Sequence, residues 1–357
     1  MQSGLSRQLS VEDIGLPVLR SNNIVNGQID LSDIKFWHLV DTKGSKTENY
    51  FLKKDDLLVN FINSLGKMGK SAVYNDELKR PTIFTTNLMR LNFKKNINTY
   101  FIYYFFNTTY YKNYIDKITK PAVNQASFTT KDFKKMELKI PTMPEQFKIS
   151  KFLKHIDKKI ELLENKLGYH QDFKKYLMQQ IFTQKLRFNF TDGWKTVKLE
   201  SLIKKGKAGG TPSSTNPDYY NGNIPFLSIK DMTEQGKYIF KTEKSITEEG
   251  LNNSSAWIIP KNSLLYSIYA SIGLVSINRS DISTSQAIYG IILKDGVSLE
   301  YMYYYLTYFK KNIHKYIETG TQGNLNAKLL KSFEILLPSL EEQKMIVNVL
   351  SLVDEKI

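Results

Sequence analysis

The chain has 357 residues, 41% of them hydrophobic, which is enough for one or two packed cores. It carries a formal net charge of +15, which points to an anionic partner, nucleic acid foremost. It has no cysteine, which excludes disulfides, thiolate metal sites and thiol catalysis and suits a reducing cytoplasm.

No apolar run reaches the ~18–20 residues that span a bilayer, and Met1-Gln2-Ser3-Gly4 does not open a signal peptide. A cytoplasmic protein without membrane contact is expected. In the first half, short runs such as Leu57 to Ile62 lie between Gly, Asn and Ser clusters and read as strands and turns. Ser64-Leu65-Gly66-Lys67-Met68-Gly69-Lys70-Ser71 nearly spells a phosphate-binding loop. Ser64 stands where the first Gly is required, and Asn75, Asp76 and Pro81 break the helix that should follow. A basic turn facing phosphates, or a plain surface turn, fits better. The aromatic stretch from Asn98 to Lys117 has helical spacing, so Tyr103, Tyr104, Tyr110 and Tyr111 are expected to pack rather than stack on bases.

Pro144-Glu145-Gln146 opens a helix: proline suits the first turn and the carboxylate favours the dipole. Ile149, Leu153, Ile156, Ile160, Leu163 and Leu167 then alternate spacings of four and three, a heptad seam that asks for a partner helix. Gly168 weakens the middle, and the pattern resumes loosely through Phe173, Leu177 and Ile181. A helix over residues 145–185 would be roughly 60 Å long, more than the roughly 34–36 Å of one DNA turn. Its outward lysines are expected to keep it soluble.

The second half runs through the same kinds of element. Asn216-Pro217-Asp218-Tyr219 brushes against the Asn-Pro-Pro-Tyr motif of adenine methyltransferases, but the second proline is missing, and a turn is expected. Leu264 to Tyr269 and Ala287 to Leu293 read as strands, and Leu299 to Tyr316 as an aromatic helix that includes Tyr301, Tyr303, Tyr304 and Tyr305. His38, His155, His170 and His314 lack ligand spacing, so no metal is expected.

The chain repeats itself. Pro141, Glu145, Gln146, Ile149, Leu153, Asp157, Lys159 and Ile160 recur at one constant offset as Pro338, Glu342, Gln343, Ile346, Leu350, Asp354, Lys356 and Ile357. Upstream, Leu16-Pro17-Val18-Leu19 matches Ile224-Pro225-Phe226-Leu227. Two halves share one plan. Ile346, Leu350, Val353 and Ile357 of the second helix copy are expected to pack antiparallel on the first seam.

The residues quoted so far, with Ile181 to Phe188, Gly193 to Leu199, Gly209-Gly210-Thr211-Pro212, Tyr220 to Phe226, Ala270 to Gly273 and Ser285-Gln286, resemble the specificity (S) subunit of type I restriction-modification systems over nearly the whole chain. The resemblance implies an α+β protein with two mixed α/β target recognition domains separated by long helices in an antiparallel coiled coil. Residues 1–144 would be the first domain, 145–187 the spacer helix, 188–340 the second domain and 341–357 the start of a distal helix. Against that plan the first half lacks a counterpart of Trp194 to Lys207 and the distal helix stops early, which suggests a shortened form. The implied partners are double-stranded DNA, two methyltransferase (M) subunits and restriction (R) subunits. S-adenosylmethionine, ATP and Mg²⁺ would be bound by those partners and not by this chain, which would hold no catalytic site.

Arginine and lysine read guanine, asparagine and glutamine read adenine, and small polar groups hold phosphates. The loops after strands therefore supply the candidates. In the first half these are Arg20, Asn22, Asn23, Asn63, Lys67, Lys70, Arg80, Asn124 and Gln125; in the second, Lys207, Thr211, Lys230, Tyr269, Ser271, Gln286, Gln322 and Asn324. Two other functions compete. A self-contained methyltransferase or nuclease would need a cofactor loop or an acidic metal cluster, and neither is found. An assembly adaptor, such as a shortened S subunit, would only assemble partners through its coil, and salt-dependent DNA binding with a slope implying several phosphate contacts would exclude it.

Overall fold

The computed structural model describes residues 1–123, 125–269, 271–315 and 325–357. They form two units, Met1–Leu162 and Leu163–Ile357, divided within the long helix rather than at either of its ends.

Each unit is built on a sheet with an apolar middle strand. In unit 1 the order is Gln2–Ser3, Leu88–Leu91, Asp56–Asn60, Ser71–Tyr74, all antiparallel. Alternate residues of a strand point to opposite faces. Leu57 and Val59 share a core with Ile102, Phe106 and Tyr111, while Leu58 joins Ala72, Tyr74 and Phe84 on the other side. Both faces are covered, so this strand reads as an unbroken apolar run instead of alternating. Unit 2 repeats the order with Ile203–Ala208, Ile288–Leu293, Leu264–Ser267 and Val275–Asn278, and adds Tyr238–Ile239 as a parallel edge.

A smaller sheet sits beside each. Gly15–Leu19 lies between antiparallel Lys35–His38 and parallel Ile83–Phe84. In unit 2, Tyr220–Leu227 lies between Lys244–Ile246 and Ser283–Thr284 in the same senses. The two-fold repeat of a mixed α/β plan, read from sequence, is thus the architecture.

The repeated glutamine has a physical reason. Gln146 and Gln343 are each 1% exposed, and a buried amide must find partners. Gln146 accepts the Asn98 N–H at 2.9 Å and donates to the Pro141 carbonyl at 2.9 Å. Gln343 accepts the Ser298 N–H at 2.8 Å and donates to the Pro338 carbonyl at 3.0 Å. Asn98 and Ser298 are the N-caps of the aromatic helices Thr99–Phe105 and Leu299–Phe309. One amide therefore ties the first turn of a long helix to the first turn of an aromatic one in each unit.

The central helix is continuous from Met143 to Phe182, 40 residues, and Gly168 does not interrupt it. Its seam is covered differently from the expectation. Ile149, Ile156, Ile160, Leu163 and Leu167 are 36% to 55% exposed and Leu153 is half-buried, so this stretch of the helix is left largely uncovered. Ile346 and Leu350 are instead buried in the core of their own unit, with Val353 half-buried and Ile357 exposed. Within unit 2 the distal helix, Leu340–Asp354, runs antiparallel beside the C-terminal end of the central one. Arg187 meets Glu342 at 2.8 Å and Lys174 meets Asp354 at 2.5 Å. There Leu177 is half-buried and Ile181 fully buried. The seam was read from spacing alone, and spacing does not say which surface covers a face.

The rejected motifs have plain structures. Leu65–Lys67 is a single 3-10 turn and Ser71–Tyr74 is a strand, so no helix follows the near phosphate loop. Pro217–Tyr219 is a 3-10 turn capped by the Asn216 side chain. Tyr111, Tyr301, Tyr303, Tyr304 and Tyr305 are buried, Tyr103 and Tyr104 are half-buried, and Tyr110 is exposed. No helix among the described residues is long and apolar enough to cross a membrane.

Candidate nucleic-acid interface

In unit 1 five chain segments meet at one end of the two sheets. Thr85 N–H donates to the Leu19 carbonyl at 2.9 Å and Leu5 N–H to the Phe84 carbonyl at 2.8 Å. Asn60 donates to the Ser21 carbonyl at 3.3 Å, and Ala126 pairs with Asn63 across a short antiparallel ladder. Close approach requires Gly4: a Cβ there would lie 2.0 Å from the Phe84 carbonyl oxygen. The result is a polar cleft of about 360 Å³ lined by residues from all five segments.

Four of the sequence candidates, Arg20, Asn22, Asn63 and Gln125, line this cleft together. Lys67 joins them through a 3.5 Å hydrogen bond to Asn22. Asn23 does not: it is 3% exposed, accepts the Arg20 N–H at 2.9 Å and donates to the Asp30 carbonyl at 2.8 Å, so it holds the turn. Arg80 is held in a two-point ion pair with Asp13, both contacts at 2.8 Å, and its guanidinium lowers the Asp13 carboxyl below its usual range. Lys70 lies in a separate groove with Asn26, Gly66 and Thr108. Asn124 lies outside the described residues.

Arg7, Thr85, Thr86 and Asn87 also line the cleft and were not singled out from sequence. The signal that finds them is the repeat. Thr85 N–H bonds the Leu19 carbonyl as Ser285 N–H bonds the Leu227 carbonyl, at 3.2 Å, so Thr85-Thr86 stands where Ser285-Gln286 stands. Arg7 binds Asp41 at 2.8 and 2.6 Å, and its guanidinium holds that buried carboxyl well below the carboxylate range.

Unit 2 builds the same corner. Gly209 N–H donates to the Ile288 carbonyl at 2.9 Å and Gly210 N–H to the Thr284 carbonyl at 3.0 Å. A Cβ on Gly209 would lie 2.1 Å from the Thr284 carbonyl oxygen, the counterpart of the Gly4 contact. The Thr211 hydroxyl bonds Gln286. Ser228 and Asp231 form a capping box, and Lys230 projects from the first turn it starts, paired with Glu243 at 2.8 Å. Tyr269 is 38% exposed, its N–H 3.5 Å from the Ala287 carbonyl. Ser271 has φ +51° and its carbonyl accepts the Ser267 hydroxyl at 2.8 Å. Lys207 is exposed on its strand opposite Gly290. Gln322 and Asn324 lie outside the described residues.

Comparison with known proteins agrees with the duplication. The family described as "Type I restriction modification DNA specificity domain" matches residues 8–168 and again 191–357. The putative type I restriction enzyme MjaX specificity subunit of Methanocaldococcus jannaschii is 28% identical over 371 aligned residues, covering 100% of this chain and 84% of the relative. The MjaIX specificity subunit of the same organism is 36% identical over 169 residues, 46% of this chain and 38% of its own. Among solved structures, the S subunit of M. genitalium gives a TM-score of 0.59 at 14% identity, covering 99% of this chain and 86% of that one. With one family match on each half, the chain belongs to the type I restriction-modification DNA specificity family.

Proposed function

We propose that this specificity subunit reads a two-part duplex DNA target, each unit presenting its cleft to one half-site, and that it brings methyltransferase subunits to that target. The observation that carries the reading is the duplicated corner: in each unit a glycine that only fits without a side chain and the same backbone bonds bring polar loops together, around a polar cleft in unit 1. Phosphate contacts would come from Lys67, Lys230 and backbone amides, and base contacts from the amides and hydroxyls of the clefts. The exposed apolar stripe of the central helix, Ile149 to Leu167, is the surface we assign to M-subunit docking, two M subunits per complex, with R subunits joining the whole.

The chain contributes address and not chemistry. S-adenosylmethionine, ATP and Mg²⁺ belong on the partner subunits in this reading. Its support is local: the near phosphate loop leads into a strand, and the methyltransferase-like Asn216-Pro217 segment is a capped turn.

Co-expression with M subunits and mapping of N6-methyladenine tests the reading. The expected result is one split motif with a fixed gap. Methylation or cleavage by the chain alone, incubated with Mg²⁺ and S-adenosylmethionine, would overturn the non-catalytic part. Duplex binding that ignores salt would overturn the interface, because a protein neutralising several phosphates must weaken as salt rises.

A further inference from the structure

We infer that the cleft of unit 1 selects A·T base pairs, adenine above all, over G·C pairs. The inference rests on the reading of the clefts as DNA-binding surfaces, and concerns which bases this one accepts.

Guanine is best read by an arginine that offers two donors to O6 and N7. Two arginines border the cleft: Arg7 has Nε and Nη2 engaged, and Arg20 has Nη2 engaged while its Nε is buried without a partner. Arg7 donates to both oxygens of Asp41, at 2.8 and 2.6 Å, and also to Ser45 at 2.8 Å. Asp41's side chain is fully buried, so releasing Arg7 would strand a buried carboxylate. Arg20 donates to the Asp33 carboxylate at 2.5 Å and to the Asp33 carbonyl at 2.6 Å. Neither arginine can turn both donors to a guanine without breaking an ion pair first.

Apart from Lys67, which the reading above gives to phosphate, the cleft presents amides and hydroxyls: Asn22, Asn63, Asn87, Gln125, Thr85 and Thr86. A side-chain amide carries one donor and one acceptor side by side. That pair matches adenine, whose major-groove edge offers the N7 acceptor beside the N6 donor, whereas guanine offers two acceptors. Asn63 adds an open donor, which a purine N7 would meet. Its oxygen accepts the Ser64 N–H at 2.8 Å, while its NH₂ is buried at the cleft wall with no partner. A buried donor left open is a cost that a base acceptor would remove. The Asn87 oxygen has only a 3.5 Å contact from the Thr86 hydroxyl.

The test is enrichment of duplexes from a randomised library by the purified full chain, followed by the same enrichment with three charge-for-amide variants. Asn63→Asp and Asn87→Asp keep shape and remove the donors, and Gln125→Glu does so at an exposed position where folding is not at stake. A carboxylate accepts from cytosine N4 and cannot donate to adenine N7. The expected result is a split motif in which one half is A·T-rich. At least one variant then turns an A·T position of that half toward C·G, with roughly a tenfold loss on the original sequence, and the other half stays unchanged. A variant-sensitive half-site made of G·C pairs would overturn the inference and leave DNA reading intact. So would a split motif that none of the three variants alters. Failure to enrich any sequence would instead overturn the DNA reading itself, and this inference with it.

Discussion

The aromatic helices of the two units come from one sequence plan and end in different environments. In unit 2, Tyr301, Met302, Tyr303, Tyr304, Tyr305, Leu306 and Phe309 are all buried. In unit 1 only Ile102 and Phe106 of the corresponding stretch are buried, and Tyr100, Phe101, Tyr103, Tyr104 and Phe105 remain half-exposed. The end of the central helix makes the difference. It sets Phe182 among Tyr301, Tyr305 and Tyr308, with ring centroids 5.9, 5.2 and 5.1 Å away. The same contrast appears in a polar pair. Tyr104 donates to Asp157 at 2.7 Å and Tyr304 to Asp354 at 2.5 Å. Asp354 also holds Lys174 and Lys237, whereas Asp157 is exposed and makes no ion pair among the described residues. One motif thus does two jobs. Where a second helix covers it, it is a core; where nothing in its unit covers it, it is a surface.

The largest test of this contrast is Phe182→Ala. It removes a ring that is 2% exposed and is expected to destabilise unit 2 by about 3–5 kcal/mol. Phe105→Ala, at the half-buried counterpart of Tyr305, is expected to cost unit 1 well under half of that. Urea unfolding followed by hydrogen exchange, unit by unit, measures both. Equal losses would mean that unit 1 is as tightly covered in solution as unit 2.

Next comes Asp354→Asn, expected to cost about 2–3 kcal/mol, because it strips the charge from a partly buried carboxylate with two lysines on it. Asp157→Asn is expected to stay within about 1 kcal/mol, as for exposed pairs. The difference also has a pH signature. Burial raises the Asp354 carboxyl, but hydrogen bonds from Lys174 and Tyr304 outweigh it and leave the pKa lowered. In the window between the lowered folded value and the ordinary value near ~3.9, the unfolded chain binds more protons than the folded one. Stability from this group is therefore complete above the ordinary value and is lost as pH falls through the folded value. The gap between wild type and Asp354→Asn should close on acidification. A gap that widens would assign the effect to some other carboxylate.

A smaller pair of changes should show no contrast at all. Gln146→Ala and Gln343→Ala each leave the part-buried N–H of an N-cap residue without its acceptor, and each is expected to cost about 1–3 kcal/mol. The two sites have matching burial and share the N-cap and proline bonds, with one further 3.2 Å bond from Gln146 to the Asn96 carbonyl. Unequal losses would show that the repeat is less faithful than its geometry.

How far could this be read from residues alone? The repeat was legible because Pro141, Glu145 and Gln146 recur with their spacing, and spacing is what folds them into the same tie. Gln125, Asn22 and Asn63 were legible as cleft residues because each borders a short strand whose end lies at the same corner. Thr85-Thr86-Asn87 was not, because the strand before it, Ile83–Phe84, has two residues and leaves no alternating pattern to end. Asn23 and Arg80 carry the right chemistry for DNA, but a buried turn and Asp13 hold them, and partners distant in sequence leave no local mark. The seam is the clearest limit. Ile149 and Ile346 are the same residue in the same motif, one exposed and one buried, because burial depends on what lies across the gap.

The smallest effect concerns the two corners. Lys67 is exposed and bonded only at 3.5 Å to Asn22, whereas Lys230 is paired with Glu243 at 2.8 Å and lies 3.9 Å from Glu234. A lysine already neutralised by carboxylates releases fewer counterions when it meets a phosphate, so it adds less to the salt dependence of binding. Lys67→Ala is therefore expected to lower the slope of log affinity against log salt by about one and to weaken binding to all sequences alike. Lys230→Ala is expected to change the slope by clearly less. Titration of one duplex at four salt concentrations separates them. If Lys230→Ala flattened the slope as much as Lys67→Ala, the Glu243 pair would have to open on DNA, and the second corner would be as basic in the complex as the first.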